Sequence, residues 1–312
     1  MLQVSKKSVV LSLPKHLGYF SRARPAGQPR CFGKLSMTAF RTYFGILAAG
    51  ALVLAATGCE KVVNLDLKTS TAQLVIEGNL VDDNKPCQVS VSRSANYTDT
   101  NTFAAVSGAV ITLADNAGGL EVLRETAPGQ YLGATLRGVP GRTYTLRVET
   151  DGAACVATSR LPAPVVAFEK LSTQLSAFGT DNIQAVVDYT DPAGKGNSYL
   201  FRQYRNGKLN NAIFAQNDEF TDGNHISQVL RTRSSTSTDP NGLDKLVRGD
   251  SLRVEMQNID PGVYEYFRTL TLILTAGGAP TTTPANPKSN FSGGALGYFS
   301  AHSRRVLTIK VP

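Results

Sequence analysis

The stretch GAVITLADNAG, residues 108–118, predicts a β-strand that runs into a tight turn. Ile111 and Leu113 alternate with Val110, Thr112 and Ala114, so the two sets of side chains face opposite sides of the strand. The Asp-Asn-Ala-Gly group that follows is typical of turns, because Asp and Asn bond their own backbone and Gly adopts turn conformations easily. The stretch is therefore one half-buried strand of a larger β structure.

Similar patterns recur at intervals of about eight to twelve residues on both sides of this stretch. Seven such strands separated by polar turns predict an immunoglobulin-like β-sandwich over residues 73–162. The other six strands are QLVIEGNL (73–80), CQVSVSRS (87–94), LEVLRET (120–126), GQYLGATL (129–136), RTYTLRVET (142–150) and ACVATSRLP (154–162).

A second β-rich domain is predicted over residues 163–312. LPAPVVAFEKL (161–171) contains two prolines and is interpreted as the linker into this domain. The predicted strands of this second domain are IQAVVDYTD (183–191), NSYLFRQYRNG (197–207), ISQVLRT (226–232), SLRVEMQNI (251–259) and RVLTIKV (305–311).

One helix interrupts these strands, near residues 260–276. Asp260 is suited to the N-cap and Pro261 to the first turn, and Gly277 with Gly278 can end the helix. Apolar side chains then recur three or four residues apart, which predicts that one helix face packs on the β structure. They are Tyr264, Phe267, Leu270, Ile273 and Leu274.

The charge of the chain is concentrated in its first 58 residues. The 312 residues carry a net charge of +8, which invites a nucleic-acid interpretation if the charge lies on a folded surface. Residues 1–58 contain eight basic and no acidic residues, which leaves 24 of the 32 basic residues against 24 acidic ones. The remaining chain is neutral, so the charge gives no support to nucleic-acid binding.

Residues 37–58 have the order of a secretory signal peptide: a short basic start, an apolar run and small residues. The apolar run covers residues 45–56, and as a helix it would span about 18 Å, less than the ~30 Å hydrocarbon core of a bilayer. We interpret it as a cleaved signal. Residues 1–36 then precede a complete signal, and we interpret them as a disordered gene-model extension; a basic presequence is the alternative.

Ala56-Thr57-Gly58-Cys59 resembles the bacterial lipobox, although Ala56 stands where that motif prefers Leu. The resemblance implies that Cys59 is lipidated and becomes the first residue of a membrane-anchored protein, with residues 59–72 as a tether. Ordinary secretion is the alternative. Several acyl chains on one residue would hold the protein firmly on a membrane.

Two further cysteines, Cys87 and Cys155, lie in predicted strands of the sandwich. An exported protein can keep a disulfide, so one interpretation pairs them. Two small buried side chains are the other interpretation.

Sequence motifs for catalysis are not found. His225 and His302 are far apart and are interpreted as loop or surface residues, and no Gly-x-Ser-x-Gly or phosphate-loop pattern is present. Two oxygen-rich loops could bind calcium, but ordinary turns are the favoured interpretation and no cofactor is expected. The calcium candidates are Asp188, Asp191, Asn197, Asp218 and Asp222.

Aromatic side chains are the other candidate binding resource. Tyr199, Phe201 and Tyr204 alternate with arginines on one predicted strand, and Tyr298 with Phe299 follows the glycine-rich SGGAL group. They would form a platform for a sugar, a peptide or a receptor loop. The favoured alternative is that they close the core beneath a long loop.

Two resemblances support this domain organisation. VSGAVITLADNAGG and GQYLGATLRGVPGRTYTLRVET resemble the transthyretin-like or carboxypeptidase-regulatory-like β-sandwiches. CEKVVNLDL, LVIEGNL, DYTDPAGKGNSYLFRQY, YEYFRTL and NPKSNFSGGALGYFSAHS together resemble the Bacteroidetes lipoprotein family called domain of unknown function 4249.

The second resemblance implies an outer-membrane-associated lipoprotein that is commonly encoded beside a TonB-dependent receptor and has no established activity. We therefore expect a non-catalytic binding or accessory protein, anchored through lipid on Cys59. The alternative is a cell-envelope hydrolase with an unrecognised carboxylate site. The side of the membrane, periplasmic or cell-surface, stays open, as does the ligand.

Overall fold

The computed structural model of the chain describes residues 72–95, 103–176, 182–232, 245–276 and 285–312. All of them lie in one compact unit that begins at Ser70. The predicted extension, signal peptide and lipidation site at Cys59, with nearly all of the tether, lie outside the described residues. The described part is mainly β, as the sequence predicts, and contains one α-helix.

The predicted sandwich strands are present, although the one predicted over residues 129–136 is shorter and the one predicted over residues 120–126 is divided. They are β1 (Leu74–Val81), β2 (Gln88–Arg93), β3 (Val110–Asp115), β4 (Leu120–Val122), β5 (Arg124–Ala127), β6 (Gln130–Leu132), β7 (Thr143–Thr150) and β8 (Ala153–Arg160). The single strand predicted over residues 120–126 is two strands, because the chain changes sheets at buried Leu123. β4 pairs with β3, whereas β5 pairs with β6 in the opposite sheet.

The second half adds ten elements. They are β9 (Lys170–Leu175), β10 (Ile183–Thr190), β11 (Ser198–Arg205), β12 (Lys208–Leu209), β13 (Phe214–Asn217), β14 (His225–Leu230), β15 (Ser251–Ile259), α1 (Pro261–Ala276), β16 (Phe291–Ser292) and β17 (Leu296–Lys310). The strands form a large sheet in the order β12-β11-β15-β17-β1-β2-β6-β5, with β13 also on β11, and two smaller sheets, β14-β10-β9 and β16-β8-β7-β3-β4.

Strand β17 joins the two halves of the chain. Its first part pairs in parallel with β1, from Val75 opposite Leu296 to Val81 opposite His302. Its second part pairs antiparallel with β15, as far as Ser251 opposite Lys310. The last strand predicted from sequence, residues 305–311, was therefore too short, and Tyr298 and Phe299 lie in a strand rather than at the end of a loop.

Three apolar clusters hold these layers together. The first fills the sandwich between the five-stranded sheet and the β17-β1-β2-β6 part of the large sheet. The second lies between the three-stranded sheet and the β11-β15 part of the large sheet. The third lies on the opposite face of that sheet, beneath α1, where Leu200 and Tyr298 meet Val263 and Phe267.

Helix α1 begins where the sequence predicts. Asp260 caps it, because its Oδ1 accepts a hydrogen bond of 3.0 Å from the backbone N–H of Val263. The other carboxylate oxygen accepts a hydrogen bond from the Ser159 hydroxyl of β8, which ties the helix start to the sandwich. The buried helix face is narrower than predicted, because Leu274 is 59% exposed. No helix in the part of the chain that the structure describes is both long and apolar enough to cross a membrane.

Candidate functional site

One face of the large sheet is covered by α1 at one end and open at the other. Side chains alternate along each strand, so Leu200, Arg202 and Tyr204 of β11 point to the same face. Helix α1 packs over Leu200 and leaves the Arg202 end uncovered. A cleft of about 240 Å³ lies there, which we call the sheet-face cleft. Its lining residues are Asn79, Val81, Asp83, Lys85, Pro86, Gln88, Arg202, Tyr204, Glu255, Gln257, His302 and Arg304.

At the β1–β2 turn, the cleft wall is a network of paired charges. Arg304 forms an ion pair with Asp83, and Lys85 Nζ lies 3.5 Å from the same carboxylate. The Arg304 backbone N–H also donates to Asp82 Oδ1 at 2.9 Å, which fixes the turn against β17. Burial would raise the pKa of Asp83, but the Lys85 backbone N–H and the two cations lower it, so this carboxyl is ionised at neutral pH.

On β15, the carboxylate of the cleft is also paired. Glu255 Oε1 lies 2.8 Å from Arg253, and the Glu255 side chain is only 5% exposed. The Arg253 guanidinium in turn stacks over the Tyr204 ring, 3.9 Å from its centroid, in a cation–π contact. Glu255 is thus held by its strand neighbour.

His302 forms part of the buried floor of the cleft. Burial and the nearby positive charge of Arg304 lower its pKa to about 4, so the imidazole is neutral at physiological pH. Its Nδ1 lies 2.9 Å from the Ser300 hydroxyl, two residues earlier on the same strand face. The sequence-based interpretation of His302 as a loop or surface residue was wrong, because β17 is longer than its alternating pattern indicates.

Arg202 differs from the other charged groups of the cleft. It is half-buried and lies opposite Glu255 in the β11–β15 register, but Glu255 is paired with Arg253 instead. Within the described ranges, the Arg202 side chain has neither an ion pair nor a hydrogen bond. Gln257, 8% exposed, likewise keeps an amide without a hydrogen bond to any described residue. A cation and an amide therefore remain available to a ligand.

The predicted aromatic platform is not formed. Tyr199 and Phe201 pack in the cluster under the three-stranded sheet, and Phe299 packs in the sandwich core. Tyr298 is 7% exposed and packs against Tyr266 and Phe267 of α1. Tyr204 alone of the five lines the sheet-face cleft. On the same strand, Arg202 lines this cleft together with Tyr204.

Three of the five calcium candidates come together. Carboxylate oxygens of Asp191, Asp218 and Asp222 lie within 4.8 Å of one another and could hold a cation. They also accept hydrogen bonds from the backbone: Gly223 to Asp191, Gly196 to Asp218 and Gly194 to Asp222. Each of these bonds joins one loop to the other and not an Asp to its own turn.

The other two candidates have different surroundings. Asn197 donates its side-chain amide to the Gly194 carbonyl at 2.9 Å, so this amide bonds its own turn. Asp188 lies within β10, opposite Lys170 on one side and Ser227 on the other, outside the three-carboxylate group.

Cys87 and Cys155 are both buried and free. Burial, with the charge of Glu121, raises the pKa of the Cys87 thiol to about 12. The Cys155 Sγ lies 3.7 Å from the Gly293 carbonyl. The arrangement is that of the alternative interpretation, two small side chains in the sandwich core.

Comparison with known proteins gives a family but no activity. No curated protein matches the chain. A family model described as Domain of unknown function (DUF4249) matches residues 60–307, which is most of the 312-residue chain and includes every residue of the sheet-face cleft. The chain therefore belongs to the DUF4249 family.

Proposed function

We propose that the protein is a lipid-anchored, non-catalytic binding protein of the outer membrane that serves a TonB-dependent receptor and takes its ligand in the sheet-face cleft. The observation that carries the binding role is Arg202, a half-buried cation without a partner among the described residues, in an open polar cleft. The anchor and the receptor rest on the lipobox-like Cys59 and on the sequence resemblance.

The rigidity of the cleft supports a binding role. Its floor is formed by β1, β11, β15 and β17, four neighbouring strands of one sheet, so the side chains are held at fixed spacing. The charges around Arg202 are already paired, which leaves one defined cation to recognise a ligand. A preformed site of this kind loses little conformational entropy on binding.

The alternative, a cell-envelope hydrolase, would need one carboxyl group that holds a proton at neutral pH. Asp83 does not fit that role, since its pKa is lowered. Turnover of an envelope polymer that Glu255→Gln abolishes would overturn the binding proposal.

The proposal predicts where the chain resides and what it accompanies. The full chain, solubilised from membranes in mild detergent, is expected to co-purify with a TonB-dependent receptor. Cys59→Ser is expected to move the protein from the membrane to the soluble fraction and to remove the lipid mass from its N-terminus. If the Cys59→Ser protein is still lipid-modified and membrane-bound, Cys59 is not the anchor. If the wild-type protein purifies without a receptor, the proposed association with the receptor is wrong.

A further inference from the structure

A second, apolar pocket adjoins the sheet-face cleft. Its volume is about 140 Å³, and it lies between β11, the segment around residues 209–213 and helix α1. Leu200, Leu209, Ile213 and Phe267 supply most of its apolar wall. Arg202 lines both cavities, so the polar and the apolar space meet at this residue.

The charges of the sheet-face cleft favour the binding of an anionic ligand. Lys85, Arg202 and Arg304 are the cations of the sheet-face cleft, and Asp83 and Glu255 are its anions. Lys85 and Arg304 both contact Asp83, whereas Arg202 forms no ion pair with a described residue, so the cleft has one cation more than it has anions. A guanidinium binds a carboxylate through two parallel hydrogen bonds, and partial burial strengthens such a pair.

The size of the apolar pocket limits the group beside that anion. If each non-hydrogen atom takes about the 30 Å³ of a liquid water molecule, the pocket holds roughly five of them. A branched or straight aliphatic group of that size fits, whereas a long acyl chain does not.

We propose that the ligand carries a carboxylate that binds Arg202 and a short aliphatic group that enters the adjoining apolar pocket. This inference rests on the proposed binding function and names the class of ligand. A short fatty acid and the C-terminal residue of a peptide, such as leucine, share this chemistry.

The test uses the lipid-anchored full mature chain in phosphatidylcholine vesicles, with protein-free vesicles as the blank. Isothermal titration with acetate, hexanoate, hexanamide and N-acetyl-leucine separates charge from chain length. Hexanoate is expected to bind at least fivefold more tightly than acetate and at least tenfold more tightly than hexanamide. Tighter binding of N-acetyl-leucine than of hexanoate would identify the ligand as a peptide C-terminus. The reverse order would identify it as a fatty acid.

Two variants show which of the two cavities causes each difference in affinity. Arg202→Gln is expected to lower hexanoate affinity to that of hexanamide, with Arg202→Lys in between. Ile213→Ser, which shortens the apolar wall without adding a charge, is expected to remove the preference for hexanoate over acetate. Arg124→Gln, which removes an exposed arginine of β5, is the matched control and should bind like the wild type.

Equal affinity for hexanoate and hexanamide in the wild type would overturn the inference, as would unchanged hexanoate binding in a folded Arg202→Gln variant. Neither result decides whether the protein co-purifies with the receptor, because co-purification does not depend on the ligand class. Loss of co-purification with carboxylate binding retained would instead contradict the proposed function alone.

Discussion

At the residue scale, His302 makes stability depend on pH. Its pKa is about 4 in the folded chain against an ordinary value of 6.5, because burial and Arg304 disfavour the charged imidazole. Between these values the unfolded chain binds a proton that the folded chain does not bind. The neutral imidazole contributes up to about 3 kcal/mol to the free energy of unfolding. This contribution is fully present above pH 6.5 and is lost as the pH falls toward 4.

His302→Gln should therefore reduce the acid sensitivity of the fold. Between pH 7 and pH 5 the wild type is expected to lose about 2 kcal/mol of unfolding free energy through this residue, and the variant is expected to be spared that loss. Urea unfolding at the two pH values measures the difference. His225→Gln, which changes an exposed histidine of β14, is the control and should keep the wild-type dependence. An unchanged dependence in His302→Gln would contradict a buried neutral imidazole.

At the element scale, the parallel pairing of β1 with β17 depends on Gly297. This glycine has φ of +93°, and a Cβ added to it would lie 2.0 Å from the carbonyl oxygen of its partner Ile76. No side chain can be accommodated without displacing one of the two strands. The large sheet is continuous only because this position is glycine.

Gly297→Ala is accordingly expected to cost about 3 kcal/mol or more of unfolding free energy, through backbone collision as well as strain. Gly249→Ala is the matched control, since Gly249 has φ of +88° but open space where a Cβ would lie. Its cost should be about 1 kcal/mol, the strain alone. Thermal and urea unfolding of both variants give the comparison, and equal costs would contradict the close approach of β1 and β17.

At the scale of the whole molecule, the predicted sandwich of residues 73–162 takes part of its core from the far end of the chain. Phe291, Ala295, Phe299 and Ala301 all belong to the apolar cluster between its sheets. β17 also supplies the strand that pairs with β1. The two predicted halves thus share one sheet and one core.

A chain shortened to residues 70–162 is expected to lack a cooperative thermal transition, because an edge and part of the core are missing. Addition of a peptide of residues 288–304 is expected to restore the transition in part. Differential scanning calorimetry checks both. A cooperative transition of residues 70–162 alone would show that the sandwich is an independent domain.

Sequence patterns predicted the elements that have one clear periodicity. Strands such as β7 alternate between buried and exposed side chains, and α1 begins at an Asp-Pro cap. The first half of β17 was missed because both its faces are buried, so Ser300, Ala301 and Ser303 give no alternation. Its second half alternates and was predicted.

The sheet-face cleft could not be predicted in the same way. Asn79, Arg202, Gln257 and His302 are distant in sequence and meet only through the order and register of β1, β11, β15 and β17. Within the described part of the chain, Arg202 has no ion pair because Glu255 pairs with Arg253 instead. Both arginines are neighbours of Glu255, Arg202 across the β11–β15 pair and Arg253 two residues away on β15, so the sequence alone does not decide which one pairs with it.

Native mass spectrometry of the chain isolated from its own envelope tests whether the sheet-face cleft binds a ligand through Arg202. The wild type and Arg124→Gln are expected to carry an added small-molecule mass that Arg202→Gln lacks. The same added mass on all three proteins, or its absence from all three, would show that Arg202 does not hold a ligand in the cleft.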